Sequence, residues 1–194
     1  MMIRPGYVAA FLPVAILLAG SSQAEPEKTM SGLRAYLVEF SGILDLDEDR
    51  GREFISTRIT APDPEGAYVL VYERKQYDSV ETRVPSSLQI IHYPFALSDL
   101  EPSSVEVREW AGPLSGRRYY LVLVRVVTKK QFIDYTNVVE RRLESGSVDV
   151  TSSRGKARTL VLGYFLESKT AQEFCDAFRG VFLRDGKARP EAIR

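Results

Sequence analysis

One cysteine and one histidine are all that 194 residues provide. Cys175 has no second thiol to pair with, so any stability in an oxidising compartment has to come from packing rather than from disulfides. A single histidine and a single cysteine, far apart, cannot build a tetrahedral zinc site. They also leave a serine or cysteine nucleophile short of a base, because His92 is the only imidazole and it falls in phase with Leu88 and Ile90, as a packed or edge side chain would. Glycine-rich phosphate loops, dinucleotide fingerprints and the Gly-x-Ser-x-Gly elbow are missing too. No two of the 26 acidic residues stand out as a glycosidase pair. The expectation is therefore no catalytic residue, no cofactor and no metal.

Net charge is equally scarce. Lys plus Arg matches Asp plus Glu at 26 each, so no long-range field draws the chain to nucleic acid. Apolar runs are short as well. The longest, Val8–Ala19, falls below the ~20 residues that a bilayer-spanning helix needs. With Arg4 before it and Ser22-Gln23-Ala24 after it, the run has the form of a cleavable export signal over residues 1–24. Leu18-Ala19-Gly20 is followed by Ser21 where a lipoprotein would carry cysteine. The expected mature chain starts at Glu25, carries no stable membrane anchor, and is periplasmic or secreted.

What is present is a pattern of strands ending in one helix. From residue 170 to 184, Ala171, Phe174, Cys175, Phe178, Val181 and Phe182 recur at the three-and-four spacing of a buried helical stripe. Arg179 lies off that stripe and is expected to face water. Thr170 and Glu173 have the spacing of a capping box, and Gly186 that of a helix stop. Cys175 on the apolar face reads as an inert thiol. At the other end, Ser31–Leu44 matches helical spacing, blurred by Val38 and Gly42.

Between the helices the period is two. Phe54–Thr60, Ala67–Lys75, Val80–Leu97 and a stretch around Val105-Glu106-Val107 read as strands, with Ala61–Gly66 as a turn. Pro85 and Pro94 suggest that the third lies at an edge or bends. Glu106, Arg108 and Trp110 form the wet side of the fourth. Tyr119–Val127 is apolar on both faces, which demands a cover on each. Gln131–Val139 fits either its hairpin partner or a helix. Ser145–Gly155, rich in Ser and Gly, reads as a long turn, and Thr159–Leu166 as the last strand. The expected fold is mainly β: a single antiparallel barrel or two-sheet domain of about seven strands over residues 25–194, closed by the helix.

Asp45–Asp49 begins like a calcium loop, but Arg50 stands where that loop needs glycine and Ser56 where it needs a bidentate glutamate. It reads as a solvated turn. Arg141, Arg142, Arg154, Lys156 and Arg158 bracket the Ser/Gly stretch and make the candidate binding surface, either a charged rim that discourages edge pairing or a patch for an anionic partner. Tyr68, Tyr72, Tyr77, Tyr93, Tyr119 and Tyr135 alternate along the strands, as core-edge residues or as the lining of a groove.

Phe95-Ala96-Leu97-Ser98-Asp99-Leu100, Val105-Glu106-Val107, Tyr119–Val127 and Leu160–Phe182 together resemble the strand-then-helix order of pleckstrin-homology-like domains, over residues 86–183. That resemblance implies an open barrel of two orthogonal sheets stopped by the helix. The family's lipid binders carry Lys and Arg in the first inter-strand loop; neither Asp45–Asp49 nor Pro62–Gly66 does, so phosphoinositide binding is not implied. Recognition of a protein or peptide is the function this resemblance leaves. The competing expectation is a lipocalin-type barrel with a small apolar ligand.

Overall fold

The computed structural model describes residues 29–185 apart from 48, 65 and 128–130. The export signal, Glu25 and Gly186 lie outside the described residues.

Helix α1 spans Met30–Phe40, where the Thr29 hydroxyl accepts the Gly32 N–H at 3.0 Å and caps the first turn. It buries Leu33, Tyr36 and Leu37, the i, i+3, i+4 set. Val38, which blurs the sequence pattern, is 79% exposed. The helix stops before Gly42, whose φ of 145° turns the chain into the first strand.

Nine strands follow among the described residues: β1 (Ile43–Asp47), β2 (Gly51–Ile59), β3 (Tyr68–Tyr77), β4 (Ser87–Phe95), β5 (Leu100–Ala111), β6 (Arg118–Val126), β7 (Ile133–Arg142), β8 (Val148–Ala157) and β9 (Thr159–Phe165); α2 (Ser168–Asp185) closes the order. They form a six-stranded antiparallel sheet, β1-β2-β3-β4-β7-β8, and a three-stranded one, β5-β6-β9. The sheets do not close into a barrel.

The small sheet is the middle layer. On β6, Tyr119, Leu121 and Leu123 pack with Ile43 and Ile55 of the large sheet, while Val122, Val124 and Val126 share a core with α2. The two-faced hydrophobicity of this strand is thus covered on both sides. Strand β9 does the same across a bulge. Val122 pairs with Gly163 and Leu123 with Val161, so Leu162 is the extra residue and the alternation changes phase there. A Cβ on Gly163 would sit 2.5 Å from the Phe165 ring and 3.1 Å from Leu37, so only glycine lets these two side chains fill the space.

Helix α2 buries Ala171, Phe174, Cys175, Ala177, Phe178 and Val181, with Phe182 partly covered. Phe174 and Phe178, both fully buried, each contribute about 1.5–3 kcal/mol by leaving water. The helix covers one face of the small sheet and packs on α1; the sequence expectation of a plug in a barrel mouth is corrected to a lid on a sheet. The capping box is corrected as well. The helix begins two residues earlier, at Ser168, Thr170 is already inside its first turn, and the Glu173 carboxylate accepts the Tyr36 hydroxyl at 3.0 Å. Arg179 is not a free surface residue: its guanidinium donates to the Val105 carbonyl and pairs with Asp176 at 3.1 Å.

Two further expectations change. Ser145–Gly155 is not a long turn, because the turn is confined to Leu143–Ser147 and the rest is strand β8. The stretch Gln131–Val139 is strand from Ile133 onward, as part of β7, but it pairs with β4 and β8 rather than with β6. Pro94 is tolerated in an interior strand because β7 pairs with β4 only over Ser87–His92, leaving Pro94 with a neighbour on one side. Trp110, expected on a wet face, is half-buried against Tyr119 and Tyr164.

Candidate functional site

The five basic residues of the candidate surface all belong to the β7–β8 hairpin or to the corner after it. Register separates them. Arg141 lies opposite Asp149 and Arg142 opposite Val148, whereas Arg154 lies opposite Thr136 and Lys156 opposite Asp134. Six residues of strand divide Val148 from Arg154, roughly 20 Å at about 3.3 Å per residue. The rim on which all five were expected to converge is therefore two places: Arg141 and Arg142 beside the tight turn, and Arg154, Lys156 and Arg158 at the far end. All five are exposed, and none makes an ion pair among the described residues. Lys156 Nζ lies 4.1 Å from the centre of the Phe132 ring.

Strand β8 is the last strand of the large sheet. Its ten residues pair with β7 in an unbroken register, with no bulge to twist the outer edge away. Nearly every side chain on it is exposed, including Val148 at 51% and Val150 at 57%. Even-numbered residues share one face, so that face reads Val148, Val150, Ser152, Arg154, Lys156. Opposite Gly155, the Tyr135 ring lies where a Cβ would be, covering the bare backbone. Behind the edge, Gln89 Nε2 donates to Asn137 Oδ1 at 3.0 Å, and Asn137 Nδ2 to Ser153 Oγ at 3.3 Å, a row of amides running to β8.

The tyrosines divide. Tyr119 is fully buried, Tyr68 stacks on Phe95 and Tyr77 lies under Arg52. Tyr72, Tyr93, Tyr135 and Tyr164 meet as two ring pairs, with centres 6.0 and 5.2 Å apart. Burial raises the hydroxyl pKa of Tyr72, Tyr93 and Tyr164, and neighbouring tyrosines add to it, so these hydroxyls remain protonated throughout the physiological range.

His92 is exposed on β4 between Val71 and Thr136, neither packed nor at a sheet edge. Cys175 is fully buried, its Sγ 3.8 Å from the Val105 carbonyl, and burial pushes the thiol pKa up, away from the thiolate that reactivity needs.

Sequence reasoning missed the buried carboxylates. Asp45 is no part of a solvated turn. It is fully buried, accepting the Leu114 N–H at 2.8 Å, the Ser115 N–H at 3.3 Å and the Ser115 hydroxyl, with the Tyr119 hydroxyl at 3.2 Å. Glu53 is its cross-strand neighbour, 1% exposed and paired with Arg74. The only local clue was parity: on β1 and β2 these acids fall in phase with Ile43, Ile55 and Ile59. Asp47, by contrast, accepts the N–H groups of Asp49 and Arg50, an ordinary turn use of aspartate. No family model, curated protein or solved structure matches the chain.

Proposed function

We propose that this chain is an exported, non-enzymatic binding module that takes an extended peptide segment of a partner protein onto the free edge of β8. The observation that carries the reading is the edge itself: ten residues long, unbulged, free of proline, with a basic end and an apolar end on one face. Backbone groups along such an edge supply affinity, and alternate side chains supply selectivity. The complementary strand, running antiparallel, carries acidic residues opposite Lys156 and Arg154 and apolar ones opposite Val150 and Val148. The strand-then-helix order, which resembles that of pleckstrin-homology-like domains, fits this use. A small-ligand carrier fits less well, because Phe165, Phe174 and Phe178 fill the layer between α2 and the small sheet with ring centres 5.4 and 6.0 Å apart.

The test is a synthetic nonapeptide, Glu-Thr-Glu-Thr-Ser-Thr-Val-Thr-Val, titrated into the isotopically labelled protein by NMR. Expected are shifts at β8 amides, weakened by added salt and abolished when alternate peptide nitrogens are methylated. Binding indifferent to methylation, or shifts away from β8, would discard the edge-strand reading. N-terminal sequencing of the protein from envelope fractions checks export, with Glu25 as the expected first residue.

A further inference from the structure

At the opposite margin of the large sheet, an open cleft of about 380 Å³ lies where the end of α1, the start of β1 and the start of α2 meet. Its apolar walls are Phe40, Phe54 and Leu166, and two carboxylates, Glu39 and Glu167, line it with them. The volume falls in the range of small-ligand sites, at their lower end.

Solvation alone accounts for an isolated surface glutamate. Glu167 directly precedes Ser168, the first residue of α2, where the helix dipole favours a carboxylate; Glu39 has no such account. Glu39 sits in the last turn of α1, where the helix dipole is negative and no basic residue answers it, so the fold gains nothing from a carboxylate there. Neither Glu39 nor Glu167 has an ion-pair partner among the described residues. The nearby lysines are paired with other carboxylates, Lys169 with Glu173 at 3.6 Å and Lys75 with Glu73 at 2.5 Å, and Lys75 Nζ also lies 5.9 Å from the centre of the Phe54 ring, so that wall already attracts a cation. Two carboxylates without an ion-pair partner among the described residues, beside two aromatic rings, make a receptor for a flat cation. A guanidinium meets both demands, stacking on a ring face while its forked N–H groups reach carboxylate oxygens; an ammonium offers a point charge and no flat face.

We propose that this cleft binds the side chain of an arginine presented by a partner polypeptide. The site is separate from the β8 edge and does not depend on that reading. Acetyl-arginine methylamide is the probe, titrated into the labelled protein by NMR, with the citrulline analogue as an uncharged probe of nearly the same shape. Arginine should shift the amides of residues 39–42 and 166–170 in a saturable way, and citrulline should bind about tenfold more weakly. The double variant Glu39→Gln, Glu167→Gln changes only exposed side chains, so it should keep the wild-type spectrum while losing about the same factor for arginine. Equal binding of arginine and citrulline, unchanged binding by the variant, or no saturable shift in the cleft would each overturn the proposal.

Discussion

Replacing Asp45 by asparagine tests whether a buried carboxylate, rather than apolar packing alone, holds the β5–β6 loop to β1. Oδ2 takes the Leu114 N–H, and Oδ1 takes the Ser115 N–H and hydroxyl. Asparagine keeps one acceptor and turns the other oxygen into an NH₂ donor. Whichever way the amide is placed, that group points at a backbone N–H. The lost charge-assisted bond is worth about 1.5–3 kcal/mol, and the surviving bonds weaken from charged to neutral, for a total of about 2–4 kcal/mol at pH 7. That is a large share of a domain's ~5–15 kcal/mol.

The pH dependence makes the prediction specific. Burial by itself raises the Asp45 pKa, but bonds from the Ser115 hydroxyl and the Leu114 and Ser115 amides more than offset it and hold the carboxyl below its usual value. A folded pKa below the unfolded one, about 3.9, gives stabilisation that is complete above that value and lost as pH falls through the folded pKa. The gap between wild type and Asp45→Asn should be flat from pH 7 to 5 and shrink below about pH 4, where the protonated aspartic acid and the substituted amide are both neutral. Urea unfolding followed by circular dichroism at each pH gives the gap. A cost under about 0.5 kcal/mol, or a gap at pH 3 equal to that at pH 7, refutes the clasp. Gly112 supplies a cross-check, since a Cβ there would lie 2.5 Å from Asp45 Oδ1. Gly112→Ala should therefore be costly alone and less than additive with Asp45→Asn.

Two further substitutions probe the layers. Phe178→Ala in the core under α2 should cost about 3–5 kcal/mol in denaturant unfolding, whereas Gln172→Ala on the exposed face should stay within about 0.5 kcal/mol; equal costs would mean that α2 is not docked. Gly155→Ala drives a methyl into the Tyr135 ring and should cost about 1–3 kcal/mol, with faster amide hydrogen exchange in β7 and β8 but not in β6; uniform acceleration would contradict a locally supported hairpin.

The elements that could be read from sequence are those whose burial leaves a pattern in the residues. The α2 stripe was legible because a half-buried helix repeats its apolar residues every third or fourth position, and β6 because a strand covered on both faces is one continuous apolar run. Asp45 was not, since what decides its state is a pair of N–H groups 69 and 70 residues further along the chain. The Thr170/Glu173 spacing misled for a similar reason. A capping signature is local, but Glu173 is claimed by Tyr36, 137 residues away, once α1 packs on α2.

Strand β8 shows the limit from the other side. Its residues, Val-Asp-Val-Thr-Ser-Ser-Arg-Gly-Lys-Ala, are exposed on both faces, so no alternation of apolar and polar residues is imposed and composition suggests a turn. Its strand conformation comes from the ladder with β7, which an amino-acid pattern does not carry. The same lack of burial leaves its outer edge open to another chain. The basic residues were visible as letters, yet only the register divides Arg141 and Arg142 from Arg154, Lys156 and Arg158. Burial writes the sequence signal, and an edge of the kind proposed for docking has to stay unburied. In a domain of this kind the surface best suited to a partner is therefore the part that leaves the weakest trace in the sequence.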